Sequence, residues 1–294
     1  MKDRNFKKDY IAVFVAINYA LSILLSLFIG ITGGHKSKFI GLGYISMFIP
    51  AVAVLIMTKE FKVPVNKFDW NRFPVKWIIP ALFLMPVVIH AACLPLLTVL
   101  NNGSLPWQAW LYADNHGLYH VPADKGWGTL TSGELIIKII VNGLTGVIIV
   151  SVLAFFEEIG WRAWMLPRLI KKFNVKKGII IGAFIWALWH VPFILSGISY
   201  INNVPYIILL VPVGTFGAGI IISWLWLKTK SIWIVSLAHG SLNNWGQYAF
   251  KYMQDSKSSD SILLLIGVEA SLLVMGLVIL LAMKNNYNIY EKSK

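Results

Sequence analysis

Apolar runs of about twenty residues, interrupted by short polar and basic segments, dominate the chain from residue 11 to residue 283. A helix needs roughly 17 to 25 mostly apolar residues to cross a bilayer. By that measure the pattern predicts eight spans, near 11–31, 39–57, 75–100, 135–157, 178–196, 206–227, 232–250 and 262–283. One stretch breaks the alternation. Residues 101–134, rich in Gly, Pro and Trp, are longer than an ordinary connection and are expected to form an extracytoplasmic loop that lies on the outer interface or dips back into it. The expected fold is all-α, a polytopic bundle forming a single membrane domain over 1–294, without internal repeats or a soluble module.

Loop charge orients the bundle. With the N-terminus inside, the inner segments carry 20 Lys and Arg and the outer loops 5, and this positive-inside asymmetry places both termini in the cytoplasm. The first run follows MKDRNFKK but is longer than the apolar core of a signal peptide and lacks a small-residue cleavage site, so it reads as a retained span.

Composition agrees with the pattern. The sequence is 57% hydrophobic and 13% charged, with a mean hydropathy of +0.68, far from the averages of soluble domains. The net charge of +13 is accounted for by basic anchors facing anionic lipid, so the bilayer is the expected partner and nucleic acid is not. The lone Cys93 excludes a disulfide framework.

Ionisable groups inside spans are costly and mark candidate sites. Here they are His90, Glu157, Glu158, His190, His239 and Glu269. His90 and Glu269 have no titratable neighbour within a turn and read as packing residues bonded to a neighbouring helix. The others fall into spaced pairs. In FFEEIGWR, Glu158 and Arg162 are four apart, acid first, the favourable order for an ion pair if the helix continues past Gly160. Glu157 points about 100° away from Glu158 on a helix, so one arginine does not serve both, and Glu157 is left for chemistry. In FIWALWHVPF, Trp186 and His190 share a face, and Pro192 lets the helix kink beside His190 and open room for water. In LAHGSLNNW, His239 and Asn243 share a face, Gly240 lets a backbone or a substrate come close, and Ser241 is a spacer. Outside the spans, His116 and His120 also stand four apart, but Gly117 and Pro122 work against a helical metal site there.

A free carboxylate, two histidines and an amide from three spans are the parts of a water-activating hydrolytic site. Glu157 is the candidate general base. His190 would hold the water or protonate the leaving amine, and His239 with Asn243 would bind the oxyanion. Glu157, His190 and His239 also suit zinc with an open water position, although H-E-x-x-H is missing, so zinc is left open.

Glu157, Glu158 and Arg162 match the E-E-x-x-x-R motif of the CPBP (Abi) intramembrane proteases, Trp186 and His190 their aromatic-x-x-x-H motif, with Trp where Phe is commoner, and His239 and Asn243 their H-x-x-x-N/D motif. The chain resembles that family, which includes type II CAAX prenyl endopeptidases and bacteriocin-processing or immunity proteins. The resemblance implies a catalytic core over about 130–250 and peptide hydrolysis near a membrane-embedded or lipidated substrate end. It also implies a multi-pass location, expected to be the cytoplasmic membrane of a bacterium, and a peptide or membrane-protein substrate that is not necessarily prenylated. A non-catalytic immunity or partner-binding protein of the same fold is the alternative, and a transporter is a third reading. All three motifs are intact, which favours the enzyme. The sequence assigns no oligomeric state.

Overall fold

The computed structural model describes residues 10–63, 70–88, 112–113, 115–120, 129–197, 204–253 and 260–283. His90 and Cys93 lie outside these residues, as do both termini. The chain is an all-α, multi-pass membrane protein. Its helices are α1 (Tyr10–Ile31), α2 (Ile49–Lys59), α3 (Ile78–Leu82), α4 (Leu84–Val88), α5 (Ser132–Glu158), α6 (Leu166–Phe173), α7 (Val175–Trp189), α8 (Val191–Leu195), α9 (Val204–Thr229), α10 (Ile232–Met253) and α11 (Asp260–Ala282). Among the described residues, five helical stretches are long and apolar enough to cross a membrane: Tyr10–Ile31, Ile40–Lys59, Ser132–Phe173, Val175–Leu195 and Ile208–Thr229. Leucines and isoleucines facing outward along α1, α5 and α11, such as Leu24, Ile149 and Leu281, are what a lipid-facing surface requires.

Proline and glycine explain where the helices depart from the apolar pattern. The run expected near 39–57 enters through a 3-10 stretch, Ile40–Phe48, and becomes α-helical with Pro50 in its first turn, a position where the missing N–H costs nothing. The run beginning at residue 75 is not one helix over its described part, since α3 and α4 are separated at Phe83 and Pro86 cannot donate to the preceding turn. Within the stretch 101–134, Tyr112–Ala113, Tyr119–His120 and Thr129–Leu130 pair as a three-stranded antiparallel ladder. His120 is therefore on a strand and His116, in the turn before it, is exposed, so these two histidines do not share a helix face. Immediately after, Thr131 and Glu134 form a capping box that starts α5 three residues ahead of the expected boundary.

The core that positions the site lies between α1, α2 and the segment that follows α5. That segment, Ile159–Met165, is a π-helix, a widened turn of the kind that recurs at functional sites. Its Trp161 and Trp164 pack on Phe14 of α1, with ring centroids at 5.7 and 4.5 Å. A side chain at Gly160 would run into Pro50, whose carbonyl oxygen lies 2.9 Å from the place a Cβ would occupy. Glycine here lets α2 approach the turn that separates Glu158 from Arg162.

Candidate active site

The two adjacent glutamates end α5 and, on consecutive residues, face different helices. Glu157 is turned to α7, where the indole N–H of Trp186 donates to its Oε2 at 3.1 Å. Among the described residues this is its single hydrogen bond, and it has no ion-pair partner. Glu158 is fully buried, and its Oε1 accepts from Arg162 Nη1 at 3.0 Å and from His239 Nδ1 at 2.7 Å. The i, i+4 pair survives the π-helical turn between its members. A buried carboxylate is costly unless paired and hydrogen-bonded, and Glu158 has both a guanidinium and an imidazole to offset that cost.

Trp186 is the hub of the cluster. Besides bonding Glu157, its ring lies under the Arg162 guanidinium, 4.5 Å from ring centroid to Cζ, a cation–π contact strengthened by desolvation. The His190 and His239 rings meet it edge to face, with centroids at 5.3 and 5.2 Å.

His190 is at the break between α7 and α8, beside the kink that Pro192 allows. Its backbone N–H bonds to the Ala187 carbonyl at 3.3 Å, three residues back, which releases the carbonyl of Trp186. The imidazole Nδ1 takes that carbonyl at 2.8 Å. A carbonyl can only accept, so Nδ1 carries the hydrogen and Nε2 is the nitrogen left for exchange. The same logic applies to His239, because a carboxylate already held by Arg162 accepts from Nδ1 and leaves Nε2 for a substrate.

His239 owes its place to close contact between α5 and α10. A Cβ at Gly240 would meet the Ser151 hydroxyl, the Ser151 nitrogen at 2.8 Å and the Val147 carbonyl at 2.8 Å. Gly143 and Gly146 of α5 receive Trp245 and Asn244 in the same way, and Asn244 Nδ2 donates to the Gly143 carbonyl at 2.9 Å. Ser241 faces the other way, bonding the Leu82 carbonyl at 2.8 Å, which makes it part of the packing against α3. Asn243 is half-buried one turn beyond His239, and its amide makes no hydrogen bond among the described residues.

The structure thus gathers Glu157, Glu158, Arg162, Trp186, His190 and His239, with Asn243 at the margin. Two contacts escaped the sequence reading: Glu158 to His239, which spans 81 residues, and Trp186 to Glu157, which spans 29. Shared-face spacing finds partners on one helix and is blind to partners on another. Glu269 is remote from this cluster, buried in α11 with its carboxyl over Gly214 of α9. Among the described residues no group of three or more His, Cys, Asp or Glu side chains is close enough to hold a metal ion.

Comparison with known proteins agrees with the motifs. Residues 137–245 match the family model described as type II CAAX prenyl endopeptidase Rce1-like. A relative in Methanococcus maripaludis, CAAX prenyl protease 2, is 30% identical over 124 residues, which is 41% of this chain and 46% of that protein. The chain therefore spans about half the length of the curated relative it matches. Every residue of the cluster falls inside the matched segment, and over residues 137–245 the chain is similar to the Rce1-like CAAX proteases.

Proposed function

We propose that this protein is an intramembrane endopeptidase of the cell membrane that hydrolyses a peptide bond near the membrane-associated end of a peptide or membrane-protein substrate. The observation that carries the reading is the division of labour between the two glutamates. Arg162 and His239 bond directly to Glu158, while Glu157 has one neutral donor, Trp186, and no direct ion pair among the described residues. A carboxylate in that position is a general base for water.

Glu157 removes a proton from water as its oxygen attacks the scissile carbonyl carbon. The negative charge then develops on the carbonyl oxygen, where His239 donates from Nε2, its imidazolium balanced by Glu158 through Nδ1, and Asn243 adds an amide donor. One such donor in a dry site lowers a barrier by about 3 to 4 kcal/mol. His190, with Nδ1 committed to the Trp186 carbonyl, exchanges protons only through Nε2, by which the proton that Glu157 took from water is passed to the departing amine. The C–N bond breaks and leaves a carboxylate and an amine. This reading uses no metal.

Cleavage of candidate membrane-anchored peptides by Glu157→Gln and His239→Ala proteins, both checked for folding, tests the reading. Loss of cleavage in both is expected. Cleavage that survives both substitutions places the activity elsewhere and leaves this fold as a partner-binding protein.

A further inference from the structure

A set of buried polar atoms beside the site has no hydrogen-bond partner among the described residues. Asn18 Oδ1, the hydroxyls of Ser22 and Ser26, and the indole N–H groups of Trp161, Trp164 and Trp189 are all occluded and make no hydrogen bond. The aromatic rings among them pack in one chain that reaches His190. The Phe14 ring touches Trp161 and Trp164, Trp161 meets Trp189 with centroids 5.7 Å apart, and Trp189 meets His190 at 5.2 Å. On α1, Asn18 follows Phe14 by one turn and bonds its carbonyl at 2.8 Å, and Ser22 and Ser26 continue the same buried stripe.

Two contacts fix how that stripe lies against the helix carrying His190. Tyr19 donates its hydroxyl to the Ile185 carbonyl at 2.8 Å, and a Cβ on Gly30 would stand 3.4 Å from the Ser196 Cα. Residues 19 to 30 therefore run alongside 185 to 196, and Ser22 and Ser26 pass the level of His190.

Native proteins seldom leave one buried polar group unpaired, and several in one run need a ligand that both donates and accepts. The run offers an acceptor in Asn18 Oδ1, donors in three indoles, and two hydroxyls that do either. Water is the ligand that suits such a mixture in a narrow interior space. We propose that the space between α1, the π-helical segment and α7 is a hydration site, where a string of internal waters held by these groups extends to the His190 side of the active site and supplies the water that hydrolysis consumes. Only the last clause rests on the proteolytic reading. A segment of substrate backbone also donates and accepts, and a substrate-free measurement tells the two apart.

Radiolytic hydroxyl labelling of the full chain in lipid nanodiscs, without substrate, reads the waters directly, because radicals form where water touches a side chain. Trp161 and Trp189, buried as they are, are expected to label in the same short pulse that labels exposed Trp70. In the Ser22→Ala/Ser26→Ala double variant that labelling is expected to drop several-fold, with turnover of a cleavable peptide slowed and its KM unchanged. Unlabelled Trp161 and Trp189 in the unsubstituted protein overturn the proposal without any variant, as does labelling that the double variant leaves unchanged. Labelling is scored whether or not peptide is cleaved, so its failure is distinct from failure of the catalytic assignment.

Discussion

Trp186 and Glu157 are joined by an indole N–H to carboxylate hydrogen bond of 3.1 Å between α7 and the end of α5. A hydrogen bond to a charged acceptor is stronger than a neutral one, and this one sets the rotamer of the proposed base. Trp186→Phe keeps an aromatic ring near Arg162 and deletes the donor. Its kcat is expected to fall about tenfold to a hundredfold, as loss of a charged hydrogen bond of about 1.5 to 3 kcal/mol implies, with KM nearly constant. Steady-state kinetics on a membrane-anchored peptide check this, and an unaltered kcat shows that the bond does not orient the base.

Glu157→Gln preserves shape and the acceptor for Trp186 while removing the basic oxygen. Turnover should drop by about a hundredfold to ten-thousandfold, the range for loss of a general base, with thermal stability held or slightly raised. A variant that unfolds on purification shows Glu157 to be part of the packing.

Glu158 and Arg162 should behave in the opposite way. Removing one partner of a buried pair strands the other, at about 3 to 5 kcal/mol, so Arg162→Met alone is expected to destabilise the protein strongly. The double variant Glu158→Gln/Arg162→Met should recover much of that loss and still be impaired in catalysis, because His239 keeps only a neutral partner. Thermal unfolding in detergent with a double-mutant cycle provides the measurement. Purely additive losses argue against the pair.

Gly240→Ala pushes a methyl into Ser151 and the Val147 carbonyl. Overpacking of this kind costs about 1 to 3 kcal/mol, and α10 has to move away from α5 with His239 on it. The variant should lose both melting temperature and activity. Gly133→Ala, at a glycine with open space around the added carbon, is the control and should do neither.

Chelation separates the two hydrolytic chemistries. Protein stripped with a strong chelator is expected to cleave at its original rate and to gain nothing from added zinc. Activity lost to the chelator and restored by zinc assigns the water to a metal instead.

Much of the site could be read in the chain because its pairs sit one turn apart on single helices. Glu158 with Arg162 and Trp186 with His190 needed only the helical repeat, and Pro192 announced the break beside His190. What spacing did not reveal depends on backbone that is not an ordinary helix or on contacts between helices. The π-helical turn at Ile159–Met165 has no signature beyond Gly160. Nor does the sequence say that His239 turns back to Glu158, since that bond exists only once Gly240 lets α10 lie against α5. The span pattern was legible as a run of apolar segments, while the prolines at 50 and 86 reshaped their interiors in ways that hydropathy averages away.

The break at His190 has a consequence for what substrate binding must accomplish. Because a carbonyl released by the backbone holds the ring nitrogen, the tautomer and orientation of this imidazole are fixed when the chain folds, before any peptide arrives. The proton-carrying nitrogen need not reorganise as the barrier is crossed, and binding energy is left to bring the scissile bond to a group already in place.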